Sequence, residues 1–210
     1  MTRVLPLVAA FDVDGTLTTR DCVVPFLDQL VGRTRLVVGI ATQPVAVTTA
    51  LIRRDRDRIK AVAVRAAFRG RDADAATALG ATYAAMVHAS WMRPDTVARL
   101  QWHRQEGHRI VLVSASLGVY LHALGAQLGV EDVLCTEPVV GADGRYTGEM
   151  AGGNCRGPEK ASRLQAWMTE NELAGAELWA YGDSAGDREL LALAARPFLV
   201  KDIVIDRAPR

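Results

Sequence analysis

Residues 9–21 read AAFDVDGTLTTRD, an apolar run that ends in two acids, Asp12 and Asp14, with Gly15 directly behind them. The run reaches back to Val4 with one early proline, the pattern of a parallel strand buried on both faces. On a strand, residues two apart point to one side, so Asp12 and Asp14 start out facing the same way, and Gly15 lets the chain turn tightly after them. Two like charges this close repel unless a cation or a shared proton lies between them. A lone pair of this kind equally fits a turn in which an aspartate caps the next helix. An EF-hand loop is excluded, because the twelfth position counted from Asp12 is Val23.

The strand pattern recurs downstream. RIVLVS (Arg109 to Ser114) and ELWAYGD (Glu177 to Asp183) are each followed by helical periodicity, with shorter strand candidates in DVLCT (132–136) and PFLV (197–200). This alternation predicts an α/β class with a parallel sheet wrapped by helices. Asp143-Gly144, set between two alternating runs, signals a hairpin. The long stretch between the first two strands is helical in period throughout, an inserted unit, and Pro94 opens a helix over 95–105 that leads back to the sheet. Within the insert, Leu36 to Ile52 (LVVGIATQPVAVTTALI) is the most lipid-like segment. With Gln43, Pro44 and several threonines it reads as a kinked buried helix or helix pair, against a membrane-surface segment.

A chain of 210 residues accommodates one such domain with a modest insertion. Its 25 Lys+Arg against 24 Asp+Glu leave a formal charge of +1, so no global field recruits nucleic acid or an acidic membrane. Cys22, Cys135 and Cys155 are odd in number, widely spaced and outside any CxxC pair, which argues against a disulfide framework and a zinc site and for a reducing, cytoplasmic compartment. After Arg3 the apolar run meets Asp12 before a signal-peptide core forms, so export is not expected. His88, His103, His108 and His122 have packed or surface readings, and Trp91, Trp102, Trp167 and Trp179 read as packing at element junctions.

Three further segments carry chemistry that matches the acidic pair. VLVSAS ends a strand at Ser114, whose hydroxyl and a following helix N-terminus offer donors to an anion. RGPEKASRL puts Lys160 in the first turn of a helix opened by Pro158, where the helix dipole disfavours a cation unless an anion is bound there. YGDSAGDREL ends another strand with Asp183 and Asp187. Separately these are a cap, a surface lysine and first-turn acids; jointly, four ordered motifs at element ends point to one site.

The set FDVDGTLT, VLVSAS, GPEK and YGDSAGD resembles the four motifs of the haloacid dehalogenase-like phosphohydrolases, and the helical insert after the first motif resembles the phosphoserine-phosphatase-like subfamily. The resemblance implies a Rossmann-like core over residues 1–17 and 92–210 with an all-helical cap over 18–91. It implies that Asp12, Asp183 and the Asp14 carbonyl bind Mg2+, that Asp12 attacks phosphorus, and that Asp14 serves as acid and base. Ser114 and Lys160, with the backbone at Gly15 and Ala115, would hold phosphate, and Asp187 would orient its neighbours. Asp21 stands where the subfamily meets a substrate ammonium, though it also fits the N-cap of the first cap helix. The subfamily's cap arginine has candidates in Arg53, Arg54, Arg56, Arg58 and Lys60, with Arg58 the choice here. The implied partner is a small phosphomonoester, with no nucleic acid and at most a surface association with membranes. A lipid head-group phosphatase and a non-hydrolysing phosphoacceptor module are the alternatives. Cys155, just before the Lys160 helix, is a further candidate for the pocket wall.

Overall fold

The computed structural model describes residues 6–53, 55–200, 204–206 and 208, with the backbone alone at 51 and 56. Among the described residues one sheet forms from β1 (Leu7–Phe11), β2 (Arg109–Leu117), β3 (Asp132–Val140), β4 (Tyr146–Ala151), β5 (Glu177–Gly182) and β6 (Arg196–Leu199), in the spatial order β4-β3-β2-β1-β5-β6. All neighbours are parallel except β3 and β4, the hairpin turned at Asp143-Gly144, where Gly144 takes φ 74°. Val4 and Leu5 of the first apolar run lie outside the described residues.

Alternate residues of β1 enter two separate cores. Val8 and Ala10 join Val111, Val113, Leu178 and Ala180 on one face, while Ala9 and Phe11 join Leu112, Trp179 and Tyr181 on the other. Both faces are covered, so the strand reads as an unbroken apolar run instead of an alternation. The chain has the α/β architecture that its strand-helix alternation predicts, and the sheet is Rossmann-like, as the family resemblance implies.

Between β1 and β2 come α1 (Val23–Val31), α2 (Arg33–Ala41), α3 (Pro44–Ile52), α4 (Arg56–Phe68), α5 (Ala73–Ser90) and α6 (Pro94–Gln105). Asp55 and Asp72 cap α4 and α5, accepting from the Arg58 and Ala75 amides at 3.0 and 2.9 Å. The two chain crossings into the helical insert lie side by side: Thr18 pairs with Met92, and the Thr19 amide donates to the Trp91 carbonyl at 2.8 Å. The insert's aromatic centre, Phe26 and Tyr83, packs on Tyr120 of α7 (Gly118–Leu128) at ring distances of 4.9 and 5.3 Å. Gly80 of α5 lies against the α7 backbone, where a Cβ would fall 2.8 Å from the Val119 carbonyl carbon. Helices α8 (Pro158–Glu170) and α9 (Arg188–Leu193) follow.

Two expectations change. The segment Leu36–Ile52 is a helix pair, but it is not buried: of its described side chains only Leu36 and Ala50 are. Both helices pack on α4, and among the described residues nothing covers their outer faces. No helix of the described residues is long and apolar enough to cross a membrane. Ser114 does not end its strand either, because β2 continues to Leu117 through a register shift and α7 begins only at Gly118.

His103 of α6 is fully buried between Phe11, Tyr181 and Trp179. The Tyr181 hydroxyl accepts from Arg99 at 3.1 Å and shares a hydrogen bond with His103 Nε2 at 2.9 Å, while His103 Nδ1 shares another with His108 Nδ1 at 2.8 Å. Burial, with His108 and Arg99 adding, lowers the His103 pKa from 6.5 to about 3. The unfolded chain takes up a proton that the native ring refuses, so this group's contribution is intact above its unfolded pKa and is lost as pH falls toward about 3. Urea unfolding from pH 7 to 5.5 should show wild-type stability falling by roughly 1 kcal/mol per pH unit more steeply than that of His103→Gln. Parallel slopes would contradict the buried neutral ring.

Candidate active site

Phe11 pairs with Leu112 on one side and Tyr181 on the other, which brings Asp12 and Asp183, just past the ends of β1 and β5, alongside Ser114 in the C-terminal half of β2. The sheet order branches at β1, with β2 on one side and β5 on the other, the place where open α/β sheets form their sites.

Asp12 holds its amide on the Tyr181 carbonyl at 2.9 Å. Its Oδ1 accepts from Lys160 Nζ at 2.5 Å and its Oδ2 from Thr16 Oγ1 at 3.2 Å. Lys160 stands one helical turn before Leu164, which packs in the core under the sheet, so the same face of α8 that buries Leu164 carries the ammonium inward. Lys160 also donates to Asp187 Oδ1 at 2.5 Å. Asp187 closes a one-turn 3-10 helix, Ala185–Asp187, where its Oδ2 accepts from the Ser184 amide and hydroxyl at 3.1 and 3.0 Å. Asp12, Lys160 and Asp187 are 4%, 2% and 1% exposed, so the three charges are matched against one another and hardly at all against water.

Burial pushes Asp12 up to about 7; Lys160 opposes the rise, while Asp187 and Asp14 add to it. Burial alone would lower Lys160, but Asp12 and Asp187 outweigh it and hold the ammonium above its ordinary range. Burial, then Asp187, raises Asp183. Asp183 packs on Gly15, whose φ is 81° and whose missing Cβ would lie 2.7 Å from the Asp183 Cγ; glycine is required there for both conformation and room. Carboxylate oxygens of Asp12, Asp183 and Asp187 lie within 4.8 Å of one another. Three acids near one lysine leave excess negative charge, and their candidate ligand atoms are all carboxylate oxygens, which fits a hard divalent cation such as Mg2+.

Asp14 Oδ1 accepts from the Cys22 amide at 2.9 Å and Oδ2 from Ser116 Oγ at 2.7 Å, which in turn accepts from Tyr120 at 2.8 Å. Burial, then Asp21, raises its pKa. Ser114 Oγ accepts from the Ser116 amide at 3.1 Å and so keeps its own proton to donate. Asp12, Asp14, Gly15, Asp21, Ser114, Ala115, Lys160, Asp183 and Asp187 line a single cavity of about 380 Å³.

Residues 9–192 match the sequence profile of the haloacid dehalogenase-like hydrolases. The chain belongs to this family. It is 34% identical to Protein CicA of Caulobacter vibrioides over 189 residues, spanning 90% of this chain and 83% of that one. A crystal structure from Bordetella pertussis Tohama I, of a protein with unknown function, superposes with a TM-score of 0.76 at 23% identity, over 93% of this chain and 90% of that chain. A probable phosphoserine phosphatase from Vibrio cholerae superposes with a TM-score of 0.65 at 16% identity, over 90% of this chain and 54% of that chain. At these identities the two structures share the fold.

In this haloacid dehalogenase-like hydrolase Arg58 is not at the cavity. It pairs with Asp55 at 3.2 Å, is exposed, and lines a separate, larger depression of about 610 Å³ with Gln43 of the insert and Met150 of β4. Arg54 lies outside the described residues, as does the side chain of Arg56. From the same basic run, Lys60 turns inward without reaching the cavity wall and donates to the Ala115 carbonyl, to Thr136 Oγ1 at 3.2 Å and to Asn154 Oδ1 at 2.8 Å; burial lowers its pKa to about 8. Helical spacing carried the signal, since Lys60 shares a stripe with the buried Val64, Ala67 and Phe68. Arg20, stacked on Trp91 at 4.9 Å, and Arg156 also line the cavity and were not anticipated. Asp21 accepts from the Val24 amide at 3.0 Å one residue before Cys22, the N-cap of α1, and borders the cavity. Cys155 is buried on the Leu134 carbonyl and is absent from the cavity wall.

Removing the shared cation strands two buried carboxylates. Lys160→Met should cost about 3–5 kcal/mol in urea unfolding with EDTA present; a loss below roughly 1 kcal/mol would contradict its neutralising role.

Proposed function

We propose that this hydrolase is a Mg2+-dependent phosphatase that cleaves a small phosphorylated metabolite through an aspartyl-phosphate on Asp12. The observation that carries the reading is the convergence of Asp12, Asp14, Ser114, Lys160 and Asp183 on one cavity. Residues 1–17 and 92–210 form the core that carries the site, and 18–91 form the cap above it.

The side chains of Asp12 and Asp183 and the backbone carbonyl of Asp14 would hold the ion. When bound, Mg2+ supplies positive charge that offsets the phosphoryl oxygens and lets a carboxylate approach them. Lys160, the Ser114 hydroxyl and the amides at Gly15 and Ala115 hold the non-bridging oxygens. An Asp12 oxygen forms a bond to phosphorus as the bond to the leaving oxygen breaks, and Asp14 gives that oxygen its proton. Water then attacks the acyl phosphate, Asp14 takes the proton, inorganic phosphate leaves and Asp12 is restored. Asp187, with both oxygens engaged, keeps Lys160 and the Ser184 turn in place.

Two features bear on the substrate. Among the described residues the cavity wall carries no large apolar side chain, which suits a polar metabolite or head group and offers no bed for an acyl chain. Asp21 meets a cationic group, and Arg20 and Arg156 meet anionic ones. A persistent phosphoacceptor is the weaker reading, since an acid two residues from the nucleophile promotes breakdown of the acyl phosphate.

Phosphate release from a panel of phosphomonoesters, with Mg2+ and with EDTA, tests the proposal. Wild type should turn over one or more members only with Mg2+, and Asp12→Asn should lose at least about a thousand-fold, because an amide does not serve as the nucleophile. Wild-type-like turnover by Asp12→Asn would remove the covalent route.

A further inference from the structure

The outer face of α2 and α3 has no partner among the described residues, although its sequence is that of a buried element. Helix α3, PVAVTTALI, is apolar on nearly every side, yet Ala50 is its one described side chain that is buried. Val45 and Ile52, seven residues apart and so on one face, are 79% and 78% exposed. On α2 the stripe Thr34, Val37, Val38, Ala41 points outward, while Leu36, Gly39 and Ile40 turn inward; a Cβ on Gly39 would meet Ala66 of α4 at 3.0 Å. The aliphatic patch is therefore built by two adjacent helices against one support, and is not a scatter of single exposed side chains.

Charge distinguishes the occupants. Between Asp28 and Asp55 the chain holds no acid, and the exposed Arg33, Arg35 and Arg53 flank the aliphatic face. None of the three has an acidic partner among the described residues. Two copies meeting through this face would set like charges against each other, whereas a negatively charged lipid surface satisfies both the aliphatic and the basic components. We propose that the outer face of α2 and α3 docks on an anionic bilayer, with Val37, Val38, Val45 and Ile52 entering the interface and the arginines meeting lipid phosphates. The contact goes beyond the phosphatase reading and does not depend on it, because the face lies on helices that contribute no residue to the catalytic cavity.

Co-sedimentation of the full chain with vesicles tests this, using phosphatidylcholine alone and phosphatidylcholine mixed with phosphatidylglycerol. Partitioning into the mixed vesicles should exceed that into the neutral ones by about ten-fold or more at low salt and fall as salt is raised. Val45→Asp/Ile52→Asp, at exposed positions, should lower it by about ten-fold or more with helix content and hydrolysis of a soluble phosphomonoester unchanged. Val37→Asp/Val38→Asp provides a second, independent variant of the same face. Absent binding to the mixed vesicles, or equal binding by wild type and both variants, would overturn the proposal. So would a wild-type dimer that these substitutions convert to monomer without any vesicle binding. The readout is partitioning, so a failure of the phosphatase reading would leave this result standing.

Discussion

One buried ammonium holds the site together. Lys160 sits between Asp12 and Asp187 beyond the ends of β1 and β5, and without it two carboxylates that are almost wholly removed from water would face each other with Asp183 close by. Like charges at this separation are tolerable only with a counter-charge of matched geometry. The lysine supplies one and leaves the cluster with excess negative charge, a setting that suits a hard divalent cation. Of its three N–H donors two are spent on Asp12 and Asp187, and the third is available to an oxygen in the cavity.

The helical insert is wired to the same place by hydrogen bonds. The Ala115–Ser116 peptide accepts from Lys60 of α4 at its carbonyl and donates its amide to Ser114 Oγ, so the segment presenting Ser114 shares a network with the insert. Asn154 completes it by accepting from Lys60 and donating to Asp57 at 2.6 Å. Asp14 is likewise tied to the Cys22 amide at the entrance to α1 and to Ser116. A shift of α1 or α4 would thus be felt at Asp14 and at the segment that presents Ser114.

Much of this was legible in the chain itself, and the reasons are local. Buried parallel strands are apolar on both faces and announce their own ends, so Asp12 and Asp183 fall where the runs stop, and Gly15 stands where only a glycine fits. Asp143-Gly144 announces its hairpin by the same logic. What failed to show was anything set by three-dimensional neighbours. Arg58 and Lys60 are two residues apart in one basic run, and only the packing of α4 on the core decides which enters; the stripe Lys60–Val64–Ala67–Phe68 held that information as periodicity, not as charge. The apolar run Leu36–Ile52 suggested burial because composition reports what a segment prefers, not whether another layer exists to cover it. The continuation of β2 past Ser114 depends on a register shift against β3 that no residue pattern marks.

In the proposed mechanism the Asp12 carboxylate itself carries the phosphoryl group during turnover. Acid-quenched mass spectrometry on the Asp14→Asn enzyme, sampled during hydrolysis of an accepted phosphomonoester with Mg2+, measures this directly, since that variant slows release of the acyl phosphate. One phosphoryl group is expected on the peptide that contains Asp12, at that residue. A phosphoryl group on a different side chain, or turnover with the enzyme unmodified at every time point, would contradict it.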